Sequence, residues 1–287
     1  MYAETIGIAA AVGAAIAFST ASVFIKVALK DVSSPYLING IRAVFASLIY
    51  IPLLIHSGIT GITPYTLFLL IASALLGAGM GDVLFIMSIK RLGAGMATVF
   101  SYQYILIAQI LSVLILHDYR GMAAIYVTPL ALLGMYLAVS DGGGLRANST
   151  GLALAYGAAL SWGTATIMIS HLVNAYSMSP MEVAAIRVIF LAPVLTILGY
   201  KEVMKLTRRA LAVLASSGVI SYFIGFVLYT TSLRYLGVII PTLATSLSPV
   251  LTQIMTIKIL GERFTARKIA GSLLIIASLV IVALSLR

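Results

Sequence analysis

Apolar runs of about 20 residues recur from one end of this chain to the other, matching the roughly 30 Å hydrocarbon core of a bilayer. A backbone inside hydrocarbon has to satisfy its own N–H and C=O groups, so such runs predict membrane-spanning helices. Polar or helix-breaking residues divide the chain into ten spans: 6–28, 35–55, 66–88, 94–116, 122–140, 151–172, 181–199, 210–232, 238–260 and 268–285. Soluble domains carry roughly 25% charged residues. Here 9% of 287 residues are charged and the mean hydropathy is +1.12, too little polarity to cover a water-facing surface. The first run is long enough to span and reads as a retained helix rather than a signal peptide. The expected fold is therefore all-α, a polytopic membrane protein.

The sequence also matches itself. A shift of 144 residues aligns GIAAAVGAAIAFSTAS (7–22) with GLALAYGAALSWGTAT (151–166), and SIKRLGAGMATV (88–99) with SLRYLGVIIPTL (232–243). The same shift pairs Gln109 with Gln253 and Asp118 with Glu262, while a shift of 145 pairs Pro35, Arg42 and Phe45 with Pro180, Arg187 and Phe190. The segment DGGGLRANST (141–150) is the one flexible linker, and it falls at the midpoint. These matches predict two five-helix repeats, 1–143 and 144–287. With an odd number of helices in each, the second repeat enters the membrane from the opposite side. Such an inverted repeat is an architecture of secondary transporters.

Basic residues set the expected orientation. If the spans alternate, 14 of the 18 Lys and Arg residues fall on the face opposite the N-terminus, and only Arg120, Arg187, Arg234 and Arg287 fall on the N-terminal face. The basic face is expected in the cytoplasm of a multi-pass cell-membrane protein, with both termini outside. The net charge of +10 is accounted for by topology and anionic lipid rather than by nucleic acid. Without cysteine there are no disulfides, thiolate metal sites or cysteine nucleophiles. His56, His117 and His171 are too scattered to ligate a metal, and no phosphate-binding G-x-x-x-x-G-K-[ST] loop occurs.

The stretch PTLATSLSPVLTQIMTIKILGERFTARKIAGSLLIIASLVIV (241–282) resembles the EamA-type, ten-helix branch of the drug/metabolite transporter superfamily. The telling residues are Pro249, the turn Gly261-Glu262-Arg263 and Gly271; FSTASVFIKVAL (18–29), followed by Pro35 and Arg42, is similar to the opening helix pair of that family. The resemblance implies a ten-helix inverted-repeat fold and transport, often export of amino acids or related metabolites. The first half departs from the second, with His117-Asp118 opposite Gly261-Glu262 and Tyr104-Ile105 opposite Ser248-Pro249.

Polar residues inside the spans are the candidates for function. Thr98, Tyr102, Gln109 and Ser112 in the fourth span share their spacing with Thr242, Ser246, Gln253 and Thr256 in the ninth, one helix face in each. Either these stripes hydrogen-bond neighbouring helices, or they face each other across a central cavity and bind substrate. The repeat symmetry favours the second reading, with Tyr102, Gln109, Ser246, Gln253, Thr98, Thr242 and Trp162 as substrate contacts. Asp82, in GAGMGD (77–82), lies about 12 Å inside the basic face at 1.5 Å per residue, level with Arg42. An intramembrane carboxylate is a functional candidate, here for an ion pair with Arg42, a substrate ammonium or a coupling proton. Its repeat mate is Phe226. Arg42 and Arg187 form a pseudosymmetric pair that either attracts anions or, the reading favoured here, snorkels to the interface. Trp162 and Phe18 occupy matched sites, and Gly77, Gly79 and Gly81 suit close helix packing.

The expectation is a secondary transporter, not an enzyme, moving a small polar or amphipathic metabolite, most simply amino-acid-like, by alternating access. An intramembrane enzyme acting on lipids and a channel are the alternatives. The expected partners are a small-molecule substrate, a coupling ion or counter-substrate and the lipid bilayer, in a monomer or weak homodimer. No cofactor, metal or nucleic acid is expected. Cysteines introduced near residues 146, 205 and 264 should react with an impermeant reagent only after the cytoplasmic side is exposed. Labelling of those loops in intact cells would reverse the orientation.

Overall fold

Ten helical segments, alternating in direction, make up the computed structural model, which describes residues 2–92, 94–139, 148–260 and 266–285. They are α1 (Tyr2–Ala28), α2 (Pro35–Ser57), α3 (Pro64–Leu92), α4 (Ala94–Ser101 and Tyr104–Leu116), α5 (Ala123–Val139), α6 (Ser149–Asn174), α7 (Pro180–Leu198), α8 (Arg208–Leu236), α9 (Ile239–Ala244 and Leu247–Leu260) and α10 (Ala266–Ser285). No strand occurs among the described residues. Seven of these segments are long and apolar enough to cross a membrane, namely α1, α2, α3, α4, α6, α7 and α8, and α5 and α9 are shorter apolar helices. Large apolar side chains such as Leu48, Ile55, Leu114, Ile197 and Leu273 are more than half exposed on the outside of the bundle. In water that surface would be a liability; in a bilayer it is the solvent contact.

Helix starts follow local chemistry. Ser34, Thr63 and Ser179 each accept a hydrogen bond from a backbone N–H of the first turn, and each is followed by a proline whose missing N–H costs nothing there. Asn148 and Thr207 cap α6 and α8 in the same way. These caps move the observed starts two or so residues ahead of several apolar runs. They also tie the repeats together: Glu202, in a short 3₁₀ turn after α7, accepts from the Ser33 and Ser34 N–H groups, and Glu182 accepts from Thr60 N–H at 2.9 Å.

Two irregularities occur twice, at repeat-related places. α3 is wound as a π-helix over Leu75–Gly81, and α8 over Gly218–Gly225. Each π segment ends just before one of the mates Asp82 and Phe226. α4 breaks at Tyr102–Gln103 and α9 at Thr245–Ser246. Such breaks free backbone groups, and in membranes they survive only where protein or a wet cavity satisfies them.

The repeats interlock. α1 packs on α8 and α9, α3 and α4 on α6, and α2 on α7, so these eight helices enclose the centre. α5 and α10 pair beside them through Gly134 and Gly271, where a Cβ on Gly134 would lie 2.7 Å from the Gly271 carbonyl oxygen. Backbone-to-backbone approach of this kind is what small residues permit in lipid. Gly271→Leu should therefore force the pair apart. Overpacking typically costs about 1–3 kcal/mol, and a lowered melting temperature in detergent is the expected result; an unchanged melt would show that the contact contributes nothing.

Candidate functional site

A cavity of about 430 Å³ lies at the centre, lined from both repeats. At its core is the Asp82 carboxylate. Trp162 Nε1 donates to Asp82 Oδ1 at 2.9 Å, Tyr222 OH donates to Oδ2 at 2.9 Å, and Arg42 Nη1 stands 3.7 Å from Oδ2. Arg42 is itself held by Asn39 Oδ1 at 2.7 Å and Ser221 Oγ at 2.8 Å, with its guanidinium 4.1 Å from the Tyr222 ring centroid. One acid thus gathers side chains from α2, α3, α6 and α8. Hydrogen bonds to charged groups are worth about 1.5–3 kcal/mol each, and here they also offset the cost of taking the carboxylate out of water.

The glycines before Asp82 make this geometry possible. A Cβ on Gly81 would collide with the Trp162 ring, and one on Gly77 would lie 2.9 Å from Arg187 Nη2. Arg187 crosses α3 at that gap. It donates from Nη2 to the Ser73 carbonyl oxygen at 3.1 Å, and its guanidinium lies 5.6 Å from the Phe226 ring centroid. The two-fold is thus kept in position and broken in chemistry. Trp162 and Asp82 form a hydrogen bond, while their mates Phe18 and Phe226 form an edge-to-face aromatic pair 6.0 Å apart.

The cavity is one-sided. Its lining runs out to Lys26 in the last turn of α1, Ile89 in the last turn of α3 and Lys268 in the first turn of α10, all toward the basic face. Toward the N-terminal face it is closed by packed apolar side chains, among them Leu70, Leu172, Val173, Val183, Leu233 and Val238. Phe18, Tyr229 and Thr166 form the floor, with Phe18 edge-on to Tyr229 at 6.0 Å and Tyr229 OH 3.3 Å from Thr166 Oγ1.

A family comparison identifies the chain. The model of the EamA-like transporter family matches it twice, over residues 5–140 and 149–284. The chain belongs to the EamA-like transporter family. An uncharacterized transporter of Archaeoglobus fulgidus is 26% identical over 273 residues, which cover 94% of this chain and 95% of that protein. A solved crystal structure superposes with a TM-score of 0.80 at 15% identity, covering 100% of this chain and 98% of that one, and so shares the fold. The protein is a multi-pass membrane transporter with the two-repeat fold of its family.

In this EamA-like transporter, Thr98, Tyr102, Trp162, Asp82, Arg42 and Arg187 all line the cavity. The rest of the two polar stripes does not follow them. Gln109 donates to the Ile239 carbonyl oxygen at 3.1 Å and accepts from Thr128 at 2.9 Å, tying α4 to α9 and α5 away from the cavity. Thr242 donates to carbonyl oxygens of its own chain, at Val238 and Ile239. Ser246 is fully buried at the α9 break, outside the cavity lining. The physical reason is the pair of breaks: spacing along one continuous helix no longer describes a face once the helix is interrupted at residues 102 and 246. Gln253 lies in α9 with its side chain outside the described residues, as does the turn Gly261-Glu262-Arg263.

Arg42 and Arg187 do not snorkel. Both are 4% exposed and turn inward, because Asp82 and the Ser73 carbonyl lie nearer than the interface. Sequence reasoning passed over Tyr222, Ser221, Asn39, Tyr104 and Tyr229. Asn39 lies three residues before Arg42 and Tyr222 four before Phe226, on shared helix faces that the repeat alignment makes visible.

Asp82→Asn should destabilise the protein by leaving Arg42 buried without its counter-ion. Breaking a buried pair commonly costs about 3–5 kcal/mol, and the cavity exposure of Asp82 places this one at the lower end. Combining it with Arg42→Gln should recover much of the loss in thermal melts. A double variant no better than the single would show that the two groups are not energetically coupled.

Proposed function

We propose that this protein is a secondary transporter that carries a small polar or amphipathic metabolite, amino-acid-like in size and polarity, by alternating access. The observation that carries this reading is the one-sided central cavity, built by both repeats, polar at Asp82 and Arg42 and closed behind by an apolar cluster. Its volume suits a small metabolite. The walls offer aromatic faces from Phe18, Phe85, Trp162 and Phe226 to an apolar body, and the buried charges offer partners to a polar end. With the basic face in the cytoplasm, the cavity faces inward. Exchanging the roles of the two repeats would open the Leu70–Leu172–Leu233 side and close the Lys26–Lys268 side, as inverted repeats allow.

Asp82 is the coupling candidate. Among the described residues it is the one carboxylate in the cavity lining, and a proton or a substrate ammonium arriving there competes with Arg42. The family match and the name of the archaeal relative support transport itself. In proteoliposomes loaded with amino acids, nucleosides or sugar phosphates in turn, saturable counterflow is expected for amphipathic amino-acid-like solutes. Asp82→Asn should abolish any dependence of that flux on pH or cation gradient. Flux that does not saturate and ignores solute on the far side would indicate a channel instead.

A further inference from the structure

Arg187 stands out once its pseudosymmetric mate is satisfied. Arg42 has a carboxylate, an amide oxygen, a hydroxyl and an aromatic face around it. Arg187 is as deeply buried, at 4% exposure, yet among the described residues its only hydrogen bond is the one from Nη2 to the Ser73 carbonyl. Nε is unpartnered in both arginines, so the difference lies at the Nη groups and the acid: no described carboxylate lies within salt-bridge distance of Arg187. Asp82 is turned to other groups: Oδ1 accepts from Trp162, and Oδ2 accepts from Tyr222 and faces Arg42. A guanidinium is never deprotonated under ordinary conditions and offers five N–H donors in a planar fork. Burying that fork largely unpaired is costly unless an anion visits it.

The surroundings favour such a visitor. Arg42 and Arg187 both line the cavity beside Asp82, and no other carboxylate occurs among the described lining residues. The Phe226 ring lies against the guanidinium, and Gly77 leaves room beside Nη2. A planar oxyanion presented from the cavity would meet the fork edge-on, while an apolar body attached to it would rest among Phe18, Phe226 and Trp162.

We infer that Arg187 is an oxyanion-binding subsite, and that the solute of this transporter is an organic anion or zwitterion bound through a carboxylate or phosphate. The inference rests on the transport reading for its biological use, but the binding itself is testable apart from transport. Trp162 is the sole tryptophan and lines the same cavity, so its fluorescence reports occupancy directly.

The full chain in lipid nanodiscs would be titrated with phenylacetate, phenyl phosphate, phenylacetamide and phenethylamine, which carry one ring and differ in the polar end. A saturable Trp162 response is expected for phenylacetate, phenyl phosphate or both, with the neutral amide and the amine weaker by about tenfold or more, the scale of a charge-assisted bidentate contact. The stronger of the two anions tells carboxylate from phosphate. Arg187→Gln should erase the preference of anion over amide, and Arg187→Lys, which keeps the charge and loses the fork, should retain only part of it. Thermal melts run alongside confirm folding; if Arg187→Gln does not fold, the preference in the parent and in Arg187→Lys decides. Equal binding of amide and anion, no response to either anion, or full anion preference in a folded Arg187→Gln would each overturn the subsite. Anion binding without counterflow of any solute would instead overturn the transport reading and leave the subsite standing.

Discussion

The buried Asp82 carboxylate organises the centre of this protein. A charge at that depth is tolerable only with partners, and the partners come from three other helices: Arg42 on α2, Trp162 on α6 and Tyr222 on α8. The packing of the middle follows from it. Tyr222 lies stacked on Phe226, and Tyr50 donates to the Tyr222 and Phe223 carbonyl oxygens that the π segment of α8 frees. Trp162 packs on Phe85, Tyr102 and Tyr104, which fills the cavity wall where α4 is broken. Removing the acid would disturb both repeats at once.

Pseudosymmetry explains why irregular backbone appears in pairs. The π segments of α3 and α8 let each third helix turn its next residue, Asp82 or Phe226, toward the cavity, and each receives the arginine of the other repeat. Arg42 reaches Ser221 in the α8 segment, and Arg187 reaches the Ser73 carbonyl and passes Gly77 at the α3 segment. Of the two arginines, only Arg42 has a described carboxylate within salt-bridge distance. That single departure from symmetry gives the cavity a polar side, at Asp82 and Trp162, and an aromatic side, at Phe18 and Phe226. A perfectly symmetric site would offer an asymmetric solute the same contacts in two directions.

The closed side of the cavity is sealed by apolar side chains. Leu70, Leu172, Val183 and Leu233 meet there as apolar side chains from helices of both repeats. Apolar packing in lipid is held by van der Waals contact rather than by a hydrophobic driving force, so these side chains part without losing a hydrogen bond of their own, while Glu182 beside Val183 keeps its tie to Thr60 at the rim. The basic side, by contrast, is spread open around Lys26 and Lys268.

Much of this was legible in the sequence. The apolar runs fixed the number and position of the helices to within about four residues, because a bilayer core admits nothing else of that length. The self-match at shifts of 144 and 145 gave the two repeats and paired Arg42 with Arg187 and Trp162 with Phe18, while Asp82 stood out because an ionisable side chain in hydrocarbon has few places to go. The polar stripes were read less well. Spacing predicts a face only along an unbroken helix, and the breaks at residues 102 and 246 carry no strong local signal, so Gln109 was placed in a cavity from which it is turned away. The Asp82–Arg42 pair was legible from depth, since both residues lie level inside the basic face. How each guanidinium is held was beyond local sequence: only the packing of α2 against α8 brings Tyr222 and Ser221 beside Arg42, while Arg187 is left facing the cavity.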